Sequence, residues 1–258
     1  MKQSYSDMFC DFYVMHLGAY IERSDTFWSN YFKVIKDIRD PIVPTDLNRC
    51  TRTNNLRLWE VWAALNNARL EKHHRVLEYG AWPSFYCVYL STLVEEVFVI
   101  DNFQFVNRSD GSIIAFLNKM LPDVWVSEIN KYNKDNLHVF KGNIEHTNFE
   151  DKYFDRIVSY GVHEHVKDDL QGMKEIHRIL KDDGLVSMTI DYHYYSWPYN
   201  EALQGRCYNR DTITSLIDDS GFIFNDVPDW SIQEPLKNKV NTLEHPDPCA
   251  MAISLKKR

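Results

Sequence analysis

The residues of this 258-residue chain best equipped for chemistry stand at the ends of short apolar runs. Arg75-Val76-Leu77 leads into Glu78, Tyr79 and Gly80. A short apolar run is what a strand buried in a parallel sheet looks like, and a glycine just past its end lets the backbone turn tightly against a ligand. Val97-Phe98-Val99-Ile100 ends likewise in an acid, Asp101, followed by Asn102. The run 154–159 is followed by His163 and His165 on either side of Glu164, and His193 stands in the aromatic stretch Asp191-Tyr192-His193-Tyr194-Tyr195. An imidazole titrates near pH ~6.5 and can take a proton at neutral pH.

The elements that must position these residues alternate from Arg75 onward, strand then helix, which is the pattern of an α/β domain with a parallel sheet. Strands are expected at 76–77, 97–101, 137–140, 154–159 and 185–190, with an antiparallel pair, 222–224 and 250–254, at the sheet edge. Helices are expected over 85–95, 167–180 and 211–219, the second ending at Asp182-Asp183-Gly184. A further helix, stopped by Pro122, is expected over 112–121, and 124–132 stays unassigned. Before residue 73 the apolar residues recur at helical spacing: Met8, Phe9, Phe12 and Tyr13; then Phe27, Trp28, Tyr31, Phe32, Ile35 and Ile38 behind an N-cap at Ser24 or Asp25; then, past breaks at Pro41 and Pro44, Leu58, Trp59, Trp62 and Leu65. Residues 1–72 are therefore expected to be a helical cap and 73–258 the α/β domain, with His73-His74 ending the connecting helix.

Composition removes several classes of function. Five cysteines, at 10, 50, 87, 207 and 249, form no CxxC pair and are odd in number, so neither a disulfide framework nor a zinc site is indicated. A net charge of −8 and the lack of a long Lys/Arg run argue against nucleic acid. No signal-peptide order opens the chain and no apolar run is long enough to span a bilayer, so a cytoplasmic protein without a membrane partner is expected. Aromatics make up 14% of the residues, enough that some should line a pocket as well as fill a core.

Taken together, these segments resemble the class I S-adenosylmethionine-dependent methyltransferases over roughly residues 73–258. The resemblance rests on Val76-Leu77-Glu78-Tyr79-Gly80-Ala81, on Asp101, on Phe154-Asp155-Arg156-Ile157-Val158-Ser159 followed by His165-Val166, and on Arg178-Ile179-Leu180 before Gly184. It implies a seven-stranded, mostly parallel Rossmann-like sheet with an antiparallel edge strand. It also implies S-adenosylmethionine as cofactor, with the methionine end at Glu78, Gly80 and Ala81, the ribose at Asp101 and Asn102, the adenine at Asn143 and Ile144, and further contacts from Ser159 and Tyr160. The first motif departs from the family. Trp82 and Ser84 stand where two later glycines are usual, with Pro83 between them, so that a bulky residue narrows the approach of backbone to cofactor, and an amide, Asn143, replaces a common acid.

The resemblance further implies methyl transfer to a small polar metabolite, with O-methylation of a sugar, nucleotide-sugar or phosphorylated compound foremost. N-methylation and a catalytically silent binding protein remain alternatives. In this fold the acceptor arrives over strands four and five, where Tyr192, Tyr194, Tyr195 and Trp197 would form its pocket. His163 is the first choice as base and His193 its rival, while His165 matches the family's loop histidine, which shapes the loop. No metal is expected.

Overall fold

The structure, a computed structural model, describes residues 52–82, 84–104, 122–131, 135–201, 204–228, 230 and 249–258. The aromatic stripes expected before residue 39, the breaks at Pro41 and Pro44, and the helix expected over 112–121 lie outside these residues. Helix α1 (Arg52–Asn67) leads through a turn to β1 (Arg75–Tyr79), α2 (Tyr86–Leu93) and β2 (Glu96–Asp101). Then come α3 (Pro122–Lys131), β3 (Leu137–Lys141) and β4 (Phe154–Tyr160). A single 3-10 turn (His163–His165) precedes α4 (Asp169–Ile179) and the long β5 (Leu180–Tyr192). A hairpin of β6 (Trp197–Asn200) and β7 (Gly205–Cys207) follows, then α5 (Arg210–Asp219), β8 (Phe222–Phe224) and β9 (Cys249–Lys257).

Seven strands make one sheet in the order β3-β2-β1-β4-β5-β9-β8. The pairs from β3 to β5 are parallel, and β9 alone is reversed, antiparallel to both β5 and β8. The mostly parallel sheet with an antiparallel pair at one edge is the one the sequence implies. Strand order changes direction between β1 and β4, and ligands of open α/β sheets bind outside the carboxyl ends of the strands at such a switch point.

Successive side chains of β1 face opposite sides, as strand geometry requires. Val76, with Val97, Val99 and Val158, packs under Val61, Ala64, Leu65 and Ala68 at the α1 end, under α2, and under Trp125 and Ile129 of α3. Leu77 and Tyr79, with Ile100, Ile157 and Val186, pack against Met173, Ile176 and Ile179 of α4 and Ile213, Leu216 and Ile217 of α5. Each such aliphatic chain contributes about 1.5–3 kcal/mol when fully buried.

Three expectations change. Helix α1, assigned by sequence to the cap, packs on the sheet: Ser187 Oγ donates at 2.7 Å to Ala64 O, which also accepts the Ala68 N–H at 2.9 Å, and Arg156 Nε donates at 2.8 Å to Ala68 O, just past the helix end, where carbonyls lack intrahelical partners. A boundary at residue 72 therefore does not separate α1 from the sheet. Pro122 begins a helix, since a first-turn proline forfeits only an N–H that would have no intrahelical partner. His73 and His74 lie in the turn before β1, past the end of α1 at Asn67.

The amino end of β1 is fastened by Asp155. Its Oδ2 accepts the Arg75 N–H at 2.8 Å and its Oδ1 accepts Lys181 Nζ at 2.6 Å. Burial pushes this carboxyl up, but the bonds from Lys181 and Arg75, with the Lys181 charge, bring it below its ordinary value. A carboxylate depressed on folding contributes stability above its unfolded pKa and loses it as pH falls through the folded one. Asp155→Asn is expected to cost about 1–3 kcal/mol at neutral pH. The difference from wild type should shrink below pH ~4, as followed by urea unfolding.

Candidate functional site

At the carboxyl end of β1, Gly80 turns the chain at φ +72°, while its N–H donates to Ile100 O at 2.9 Å. The loop after β4 presses on this turn, so that a Cβ on Gly80 would stand 2.3 Å from Val162 Cγ1. The backbone angle and the close approach both call for glycine. Strand β4 ends the same way: Gly161, at φ +63°, donates its N–H to Thr189 O at 3.1 Å and to Thr189 Oγ1 at 3.0 Å. Gly161 was not singled out by the sequence reading, although Tyr160-Gly161 repeats the Tyr79-Gly80 dipeptide at the neighbouring strand end.

Asp101 staples the tips of β1 and β2. Its Oδ2 accepts the Trp82 N–H at 2.9 Å and its Oδ1 the Phe103 N–H at 2.6 Å. Burial lifts its carboxyl to about 6, opposed by these two bonds. A carboxylate offers roughly four acceptor positions, so lone pairs remain for ribose hydroxyls. The Trp82 ring, expected to crowd the turn, is 7% exposed and packs edge-on against Phe103, which packs edge-on against Trp125. Trp125 Nε1 in turn donates to Ser84 O at 2.6 Å, so the residues replacing the usual glycines are built into the core under the turn.

Glu78 is fully buried, and neither of its oxygens has a hydrogen-bond partner among the described residues. Burial first, and the Asp101 charge second, lift it to about 8, so it holds a proton at neutral pH. Tyr160, which burial and the Glu78 charge push well up, lies edge-on to Tyr86 beside it. A buried polar group with no partner calls for an explanation, and a ligand group is the natural one at a switch point. The residues fit the methionine end of S-adenosylmethionine on that ground.

The other expected cofactor residues divide. Ala81 is buried beside the turn. Asn102 and Asn143 are exposed just past β2 and β3, and each forms a side-chain turn, Asn102 Oδ1 accepting Gln104 N at 3.0 Å and Asn143 Oδ1 accepting Glu145 N at 3.2 Å. Ile144 and Ser159 turn inward instead: Ile144 is in the core, and Ser159 Oγ, fully buried, donates to Tyr79 O at 3.3 Å. Their place is in packing.

The three histidines are set differently. His163 is fully buried, its Nε2 at 3.1 Å from Asp169 O and its Nδ1 at 3.2 Å from Tyr79 OH. The carbonyl can only accept, so Nε2 carries the proton and Nδ1 accepts from the tyrosine. Burial holds this imidazole down at about 4, against the raising effect of Asp169. With both nitrogens engaged it has the geometry of a structural post. His165 Nδ1 lies 2.7 Å from Gln204 O, to which it must donate, tying the loop to the β6–β7 turn. His193 is fully buried, and its Nδ1 accepts the Tyr195 N–H at 3.1 Å. Its proton therefore sits on Nε2, which has no partner among the described residues, and burial lowers its basicity.

Around His193 stand Tyr195 and Trp197, with ring centroids at 6.1 and 6.2 Å, and Tyr195 is exposed. Tyr194 meets Tyr195 edge-on and packs partly into the core. Tyr192 ends β5 as a core residue, 3% exposed. Sequence reasoning missed the hairpin and its anchor: Arg206 pairs with Asp169 at 2.7 Å and donates to Val166 O and Lys167 O, while Tyr208 OH donates to Asp169 Oδ2 at 2.9 Å. Nothing in the spacing of the lone arginine between Gly205 and Cys207 marks it. At the opposite end of β1, ligand atoms of Glu71, His73 and His74 lie within 4.8 Å of one another. His74 Nδ1 already accepts the Glu71 N–H there, and burial and the Arg156 charge lower its basicity.

A family model described as "Methyltransferase domain" matches residues 118–188. A search of curated proteins finds no match. Among solved structures, the YcgJ protein from Bacillus subtilis superposes with a TM-score of 0.53 at 15% identity, covering 77% of this chain and 98% of its own. An S-adenosylmethionine-dependent methyltransferase from Aquifex aeolicus gives 0.52 at 16%, covering 78% and 90%. The [4+2]-cyclase SpnF gives 0.57 at 11%, covering 88% and 93%. The fold is that of the class I S-adenosylmethionine-dependent methyltransferases.

Gly80→Ala is expected to cost about 1–3 kcal/mol from its backbone angle alone, and more from the clash with Val162. Val162→Ala in the same chain should recover part of the clash and none of the backbone strain, as read from the melting temperatures of the single and double variants.

Proposed function

We propose that this chain, with its class I methyltransferase fold, transfers the methyl group of S-adenosylmethionine to a small polar acceptor, O-methylation of a sugar, nucleotide-sugar or phosphorylated compound being the leading case. Glu78 carries the reading: a buried acid without a hydrogen-bond partner among the described residues, next to Asp101 and behind a glycine turn. Glu78 and the Gly80-Ala81 backbone would hold the methionine end of the cofactor, Asp101 the ribose, and Asn143 an adenine edge. When bound, the cofactor supplies a methyl group open to in-line displacement. The protein's share is then alignment, which can lower a barrier by about 7–11 kcal/mol.

His193 supports a polar acceptor. Its Nε2–H is a buried donor lacking an acceptor among the described residues, the arrangement expected of a group that binds a substrate oxygen. In that tautomer it orients an oxygen and does not take a proton from it. The Asp169–Arg206 pair, by holding the hairpin to the loop after β4, would keep Trp197 and Tyr195 in place around it. N-methylation fits the same pocket. A second reading, a protein of this fold that does not methylate, is favoured by one observation: His163 has both ring nitrogens engaged and His193 presents a proton rather than a lone pair.

Calorimetry with S-adenosylhomocysteine, followed by transfer of labelled methyl from S-adenosylmethionine to a panel of sugars, nucleotide-sugars and sugar phosphates, tests both readings. Binding and turnover are expected. Binding with no turnover on any acceptor class would favour the second reading, and no binding would remove the first. With an acceptor in hand, His193→Phe should lower kcat/KM by about tenfold or more, while His193→Gln, which keeps an N–H donor, should retain more activity.

A further inference from the structure

At the tips of β1, β2 and β4 lies a buried acid that meets no counter-charge among the described residues. Glu78 on β1 is faced by Asp101 on β2, by Tyr160 on β4, and by Tyr86 and Cys87 on α2 around that tyrosine. None of these groups is a cation, and neither Glu78 oxygen accepts a hydrogen bond among the described residues. Asp101 differs, because both of its oxygens accept backbone N–H groups, from Trp82 and from Phe103. Two acids this close and this buried do not both ionise, and the one with donors keeps the charge. Asp101 is thus the carboxylate of the pair, and Glu78 keeps its proton.

We propose that Glu78 is a neutral acid in the ligand-free protein and that the α-ammonium group of the cofactor's methionine end displaces its proton to solvent, so that cofactor binding is coupled to proton release. This rests on the methyltransferase reading of the pocket. The carboxyl O–H bond breaks, the proton passes to water or buffer, and the carboxylate left behind pairs with the ammonium. Two consequences follow from charge alone. Affinity for S-adenosylhomocysteine should rise about tenfold for each pH unit near neutrality, the linkage expected for one released proton. A ligand with the same adenosine but no ammonium, 5′-methylthioadenosine, should bind without that release.

The experiment is calorimetric titration of the full chain with S-adenosylhomocysteine at neutral pH in buffers of different ionisation enthalpy. The proposal expects release of about one proton per ligand by wild type, and about none with 5′-methylthioadenosine or in Glu78→Gln, which mimics the neutral acid and should fold. Binding without proton release, or unchanged release in Glu78→Gln, would overturn the proposal and leave the cofactor assignment standing. No binding of S-adenosylhomocysteine in any buffer would overturn both. Infrared difference spectra of ligand-free wild type against Glu78→Gln test the first half separately. A protonated-carboxyl band at neutral pH is expected, and its absence would overturn the proposal whatever the ligands do.

Discussion

A carboxyl group taken out of water with no hydrogen-bond partner is among the more costly things a core can contain, and it escapes most of that cost by keeping its proton. Glu78 is such a group, at the one place in an open α/β sheet where strand order reverses. The strand that delivers it is flanked by β2 and β4 in parallel register, so its side chain cannot swing out to water. What surrounds it can be understood as the framework that keeps this acid buried yet within reach of a ligand.

That framework is built from main-chain donors and glycine turns. Asp101 holds the turns after β1 and β2 together through Trp82 and Phe103 N–H, and Gly80 and Gly161 bend the chain sharply at the adjoining strand ends. On the far face, Tyr79 reaches His163, whose other nitrogen reaches the first residue of α4. From Asp169 the connection continues to Arg206 and Tyr208, so the tip of β1 is linked through four side chains to the hairpin that carries Trp197. Buried polar groups paired in this way favour one arrangement of loops, which a methyl transfer dependent on alignment would require.

The sheet was legible in the sequence because buried parallel strands are written as short apolar runs ending at Gly, Asp or Ser, and Leu77, Ile100 and Ile157 belong to such runs. The helix at Pro122 was misread because proline both ends helices and opens them, and only its position in the turn distinguishes the two. The β6–β7 hairpin left no signal: it is three or four residues per strand, joined by long-range pairs such as Arg206 with Asp169 that no local period reveals. For the histidines the residue type was visible but the tautomer was not. Whether an imidazole presents a lone pair or a proton depends on which backbone group its other nitrogen meets, Asp169 O for His163 and Tyr195 N–H for His193. Trp82 looked like an obstruction for a similar reason, since its backbone N–H serves the turn while its ring goes to the core.

The claim on which the rest stands is that the unpartnered acid at the tip of β1 belongs to the cofactor site. A crystal structure with S-adenosylhomocysteine tests it most directly. The account predicts the methionine end against the Gly80-Ala81 backbone with its nitrogen within hydrogen-bonding reach of Glu78, and the ribose hydroxyls on Asp101. Ligand bound with Glu78 still unpartnered, or bound away from the tips of β1 and β2, would contradict it.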